Sequence, residues 1–112
     1  MFTAGNFVRM QNRGGYTIKK WGLHVRNPDG TDHPDVNSHN HLTGGSGTDQ
    51  IALVDAHLRD GSTCTIYVDI EAGRHNVTGT SFEYNSENGT SADYKATGTT
   101  QAPHLHGPSD GY

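Results

Sequence analysis

Apolar and polar residues alternate most strictly over "STCTIYVDIE" at 62–71. Cys64, Ile66, Val68 and Ile70 fall on one face; Thr63, Thr65, Tyr67, Asp69 and Glu71 fall on the other. A period of two predicts a strand buried on one side. "NFVRMQN" at 6–12 repeats the pattern more briefly, with Val8 and Met10 on one face. In "YTIKKWGLHVRN" at 16–27 the apolar parity switches between Ile18 and the set Trp21, Leu23 and Val25. The switch predicts a β-bulge near Lys19–Gly22, where an extra residue resets the facing. "DQIALVDAHL" at 49–58 fits strand spacing through Ile51 and Leu53 and helix spacing through Ile51, Val54 and Leu58. Ten residues between Gly and Asp-Gly leave little room for a helix, so a strand ending in a bend is expected.

Phe82 and Tyr84 in "TSFEYN" at 80–85, and Ala92, Tyr94 and Ala96 in "TSADYKATG" at 90–98, alternate in the same way. The "SENG" between them predicts a hairpin. Residues 31–48, "TDHPDVNSHNHLTGGSGT", offer almost nothing to bury and read as a long polar loop, a class of segment that is often functional. The expected architecture is all-β: one antiparallel β-sandwich domain of about six short strands over residues 1–100, with an irregular tail over 101–112.

Composition narrows the function classes. The chain has 112 residues, a formal charge of -4 and 30% apolar residues, with adjacent cations only at Lys19–Lys20. Phosphate backbones and anionic membranes select clustered cations, so neither a nucleic-acid partner nor an anionic-membrane partner is expected. No stretch approaches the roughly 20 apolar residues of a membrane span. No apolar leader opens the sequence, which points to a cytoplasmic protein or one secreted without a visible signal peptide. Cys64 is the only cysteine, so neither an intrachain disulfide nor a cysteine-based zinc site is available. Asn76-Val77-Thr78 and Asn88-Gly89-Thr90 match the glycosylation pattern, which chance readily supplies in a chain rich in Asn and Thr.

The segments "NRGGYTIKKWGLHV", "DQIALVDAHLRDGSTCTIYVDIEAG" and "FEYNSENGTSADYKATGTT" together resemble a loosely defined group of small fungal and bacterial β-sandwich proteins. The resemblance covers most of residues 6–100 and implies a β-sandwich. By fold analogy, such small all-β proteins include lectins and aegerolysin-like membrane-active proteins. This chain lacks the cysteines and tryptophan-rich surface expected of the aegerolysin-like branch.

Three chemistries have candidate residues. Two His-x-His pairs, His39 with His41 and His104 with His106, each place imidazoles about 7 Å apart on one face of an extended segment. The four together would supply a tetrahedral metal shell if loop and tail met, with Asp32, His33 and Asp35 close by in sequence. A catalytic reading is weaker. Cys64 sits on an apolar face, where a thiol is inert, and Asp69 with Glu71 could serve glycoside hydrolysis only beside a groove. No enzyme and no cofactor are expected. Sugar binding needs carboxylates and amides for the hydroxyls and an aromatic face for the ring. Asp29, Asp32, His33, Asp35, Asn37, His39 and Asn40 lie in the polar loop, Tyr67 projects from the polar face of its strand, and Tyr112 lies in the tail. A carbohydrate-binding, lectin-like protein with a glycan ligand is the leading expectation, ahead of a membrane-active protein and a His-loop metal binder. A homodimer through the edge of strand 90–98 is a further expectation.

Overall fold

The computed structural model describes residues 1–111. Two sheets pack face to face. Chain order is β1 (Thr3–Ala4), β2 (Phe7–Asn12), β3 (Ile18–Arg26), β4 (Asp32–Ser38), β5 (Gly47–Ala52), a 3-10 turn (Leu53–Ala56), β6 (Thr63–Ile70), β7 (Val77–Thr78), β8 (Phe82–Tyr84), β9 (Ala92–Gly98) and β10 (Pro103–Ser109). The larger sheet runs β1-β8-β6-β3-β4 with β7 added on β6; the smaller runs β10-β9-β2-β5. The all-β, two-sheet class is the one the alternation predicts. The pairing is mixed rather than antiparallel throughout, because β1 runs parallel to β8 and β2 runs parallel to β9.

The core is the set of apolar parities, closed on itself. Trp21, Leu23 and Val25 of β3 stand opposite Val68, Ile66 and Cys64 of β6, and all six are buried. Val8 and Met10 from β2, with Tyr94 from β9, fill the space from the other sheet. The predicted bulge is present, as the β3–β6 register shifts between Ile18 and Lys20. Strand 49–58 is shorter than expected: β5 ends at Ala52, and the 3-10 turn buries Leu53 while Ile51 is only half-buried.

Four expectations are corrected. The polar loop contains β4, and the C-terminal tail contains β10, paired to β9 from Pro103 to Ser109. Both are edge strands with little to bury, and Val36 and Leu105 are their partly buried apolar residues. Their sequences therefore carry no apolar alternation. Strands 80–85 and 90–98 are not a hairpin: β8 lies in the larger sheet and β9 in the smaller. Phe82 and Tyr94 meet across the core instead, with ring centroids 6.5 Å apart. Finally, β9 is no edge, since β10 and β2 flank it. Its outward Asp93 is buried and forms a two-point ion pair with Arg9 of β2, one contact being 2.8 Å.

Polar side chains tie the sheets where the ladders end. Buried Asn12 donates to the carbonyls of Tyr16 at 2.7 Å and Leu42 at 2.9 Å and accepts from the Gly14 N–H at 3.0 Å. The Leu42 carbonyl also accepts from the Ile18 N–H at 3.0 Å, whereas Asn12 is the partner that satisfies the buried Tyr16 carbonyl and Gly14 N–H. Asp49 of β5, two residues along the β2–β5 ladder from the partner of Asn12, accepts from Trp21 Nε1 at 2.9 Å and Ser38 Oγ at 2.6 Å.

Candidate functional site: the outer face of the larger sheet

Residues opposed across an antiparallel ladder share a face. The outward set of β3 is Lys20, Gly22, His24 and Arg26; it faces Asp69, Tyr67, Thr65 and Thr63 of β6. On its other side Gly22 pairs with Asn37 and Arg26 with Asp32, both on β4. Gly22 is required there. A Cβ on it would lie 2.1 Å from the Val36 carbonyl oxygen and 2.6 Å from the Asn37 Cα, so any side chain would push β4 off the sheet.

The centre of this face is an aromatic stack. The His24 ring lies on the Tyr67 ring with centroids 4.2 Å apart and planes 13° from parallel. Lys20 Nζ sits 5.8 Å from the Tyr67 centroid, within cation–π range. Tyr67 therefore occupies the predicted polar face, but it is not the open platform the alternation implied: it is 2% exposed beneath its neighbours. Its hydroxyl is buried without a well-formed hydrogen bond, Asn37 being the polar side chain beside it. Burial raises its pKa, an effect that Asn37 opposes and the charges of Asp35 and Asp69 reinforce.

Three segments converge on His24. Asp35 Oδ2 of β4 is 3.1 Å from Nδ1, and Asn76 Oδ1 in the turn between β6 and β7 is 2.6 Å from Nε2. Asp69 of β6 accepts from the Asn76 backbone N–H at 2.7 Å. Desolvation lowers the His24 pKa, but the hydrogen bonds to Asn76 and Asp35 and the charges of Asp35 and Asp69 outweigh it, and the net shift is upward. The His24 side chain remains 39% exposed. Next to it lies a shallow depression of about 300 Å³ lined by His24, Val25, Arg26, Asp32, Thr63 and Thr65.

The predicted ligand residues divide. Asp35, Asn37 and Tyr67 are brought together, and Asp32 borders the depression, 3.8 Å from Arg26. His33 stands opposite Val25 rather than His24, with Nδ1 2.7 Å from the Pro34 carbonyl oxygen. Asp29 lies outside the group. It closes the turn before β4 by accepting from Thr31 N–H at 3.0 Å, and it pairs with Arg59 at 3.3 Å. Asn40 turns to Asp49 at 3.4 Å, and His39 is exposed in the same connection. Tyr112 lies outside the described residues.

The condition for a four-histidine shell, that loop and tail meet, is not fulfilled in the fold. Among the described residues, no group of three or more His, Cys, Asp or Glu is placed to hold an ion. The connection carrying His39 and His41 is tied to β5 through Asn40 and Asp49, whereas His104 and His106 lie on β10, the far edge of the same four-stranded sheet. Three strand spacings separate those edges by roughly 14 Å. His106 is further held by Thr97, its Nε2 2.7 Å from the hydroxyl. Asp69 and Glu71 do not form a strand-face pair, because β6 ends at Ile70. Cys64 is a core residue whose thiol burial pushes up to about 12.

His24, Asp69, Asn76 and Lys20 were not among the expected ligand residues. Three of them sit on the polar parity of the two best-patterned strands, which was the available signal.

No family profile matches the chain, and comparison with curated protein sequences gives no match. Two solved structures overlap it loosely. One is described as "Trapped Toxin", with a TM-score of 0.46, 9% identity and 91% of this chain covered. The other is of listeriolysin O, with a TM-score of 0.46, 13% identity and 95% covered. The chain spans 23% and 22% of the length of those proteins. Likeness of this degree relates the fold loosely and says nothing of the chemistry. Among the described residues, no helix is long and apolar enough to cross a membrane, and the exposed large apolar side chains are Met1 and Val54.

Proposed function

We propose that the protein is a non-enzymatic binding module that holds a carbohydrate on the outer face of its larger sheet. The observation that carries this reading is the convergence of Asp35, Asn37, Asp69 and Asn76, from three separate segments, around the His24–Tyr67 stack. Sugar hydroxyls need such a mixture of carboxylate acceptors and amide donors, and the apolar side of a pyranose needs a flat π surface. The ring face of His24 turned away from Tyr67 is that surface, and the adjacent depression has hydroxyl and guanidinium groups at its rim. Charges on the face nearly balance, with Lys20 and Arg26 against Asp32, Asp35 and Asp69 before His24 is counted, which suits a neutral or weakly charged ligand.

A glycan array tests the reading. The intact protein is expected to bind a restricted set of glycans, and Asp35→Ala is expected to weaken that binding at least about tenfold, the equivalent of one charge-assisted hydrogen bond. Asp29→Ala, outside the face, is expected to leave it unchanged. A blank array, or equal loss in both variants, would overturn the proposal.

A further inference from the structure

His24 is held on both ring nitrogens by oxygen acceptors. Nδ1 meets the Asp35 carboxylate at 3.1 Å, and Nε2 meets the Asn76 amide oxygen at 2.6 Å. A neutral imidazole carries one N–H and one lone pair. Both contacts are therefore hydrogen bonds only when His24 is an imidazolium. When it is neutral, one nitrogen opposes an oxygen lone pair to lone pair, unless the Asn76 amide turns to offer its NH2.

We propose that His24 and Asn76 form a proton-operated clamp joining the edge strand β4 to the turn between β6 and β7. With His24 charged, Asp35 and the Asn76 oxygen are both drawn to the ring, and the Asn76 NH2 faces outward. With His24 neutral, its remaining N–H stays on Asp35, and the Asn76 amide reverses, presenting its oxygen to solvent. The proton state thus changes the hydrogen-bonding pattern of the face from donor to acceptor at one point. It also changes how firmly β4 is held.

The surroundings favour the charged form. Asp35 faces the ring from β4, Asp69 and Tyr67 face it from β6, Lys20 and Arg26 flank it on β3, Asp32 lies across the depression, and His75 is the exposed neighbour of Asn76. Desolvation lowers the His24 pKa, but the hydrogen bonds to Asn76 and Asp35, with the charges of Asp35 and Asp69, outweigh it and hold the pKa above its ordinary 6.5. A raised folded-state pKa fixes the sign: the clamp's contribution is complete below the unfolded value of 6.5 and is lost as pH rises through the higher folded value. Asn76 suits the position for a second reason. Its φ is +52°, in the left-handed region that Asn and Asp tolerate and most residues avoid.

Ring-nitrogen NMR of the intact protein, with its histidines assigned, tests the clamp without any ligand. A blank glycan array would retire the carbohydrate reading and leave this test standing. The His24 midpoint is expected above 6.5, with the Asn76 side-chain amide resonances shifting at the same midpoint. Asp35→Asn should lower the midpoint by removing the facing charge. Asn76→Asp should raise it, since a carboxylate cannot turn to become a donor. A His24 midpoint at or below 6.5, or Asn76 amide signals that do not follow it, would overturn the proposal. The wild-type titration alone decides this if a variant fails to fold.

Discussion

Ile66→Asp is expected to abolish folding, while Thr65→Asp, one residue earlier on the same strand, should yield a folded protein. Ile66 is 0% exposed, sits opposite Leu23 and faces the second sheet. A carboxylate there has no cation or donor to meet it and must either remain charged in an apolar medium or take up a proton. The cost, more than about 4 kcal/mol, consumes most or all of a small domain's stability, which is roughly 5–15 kcal/mol. Thr65 points the other way and loses one hydroxyl contact, 2.7 Å to Ser81, worth about 1 kcal/mol. Circular dichroism and urea melts of the two variants read the difference. A cooperative wild-type melt for Ile66→Asp would place the core on the wrong face of β6.

Asp49→Ala carries the next largest expected effect. Trp21 is fully buried and its indole N–H donates to Asp49 at 2.9 Å, alongside Ser38 at 2.6 Å and Asn40 at 3.4 Å. Alanine leaves that N–H without an acceptor in the core and frees the segment after β4, for a loss of about 2 kcal/mol. The urea midpoint, followed through the chain's sole tryptophan, should fall by roughly 1 M. Asp49→Asn retains an acceptor and should lose less. The same carboxylate makes stability depend on acid. Desolvation raises its pKa, but Ser38, Trp21, the Gln50 N–H and Asn40 outweigh that and hold it below the ordinary 3.8. Its contribution is therefore present above the unfolded value and is lost as pH falls through the lower folded value. The pH dependence of the wild-type midpoint in that acid range should be reduced in Asp49→Ala.

Where a strand buries one whole face, its chemistry was readable before its structure. β6 and β3 carry long apolar parities and even announce their bulge, so the core around Trp21 and Ile66 follows from spacing alone. β4 and β10 pack at sheet edges, and their residues answer to backbone pairing rather than to burial. "DHPDVNS" and "PHLHGPS" consequently look like loops, and the two His-x-His pairs look free to meet. Pairing order decides that they lie at opposite edges, and no local pattern encodes pairing order. Phe82 and Tyr94 illustrate the same limit: alternation identified both as core residues, yet a turn signal between them read as a hairpin where the chain crosses from one sheet to the other. The candidate site was half legible. Asp35, Asn37 and Tyr67 were expected for their chemistry. His24 and Asp69 lay on strand faces that looked merely solvated, and Asn76 joins them only because the β6–β7 turn folds back over β3.

The central claim is that the outer face of the larger sheet is the binding face. Amide chemical-shift mapping, with the strongest glycan from the array titrated into labelled protein, tests it most directly. The predicted result is a compact set of shifts at His24, Asp35, Asn37, Tyr67, Asp69 and Asn76, with β5, β9 and β10 unchanged. Shifts centred on the smaller sheet, or the absence of any glycan that binds, would contradict it.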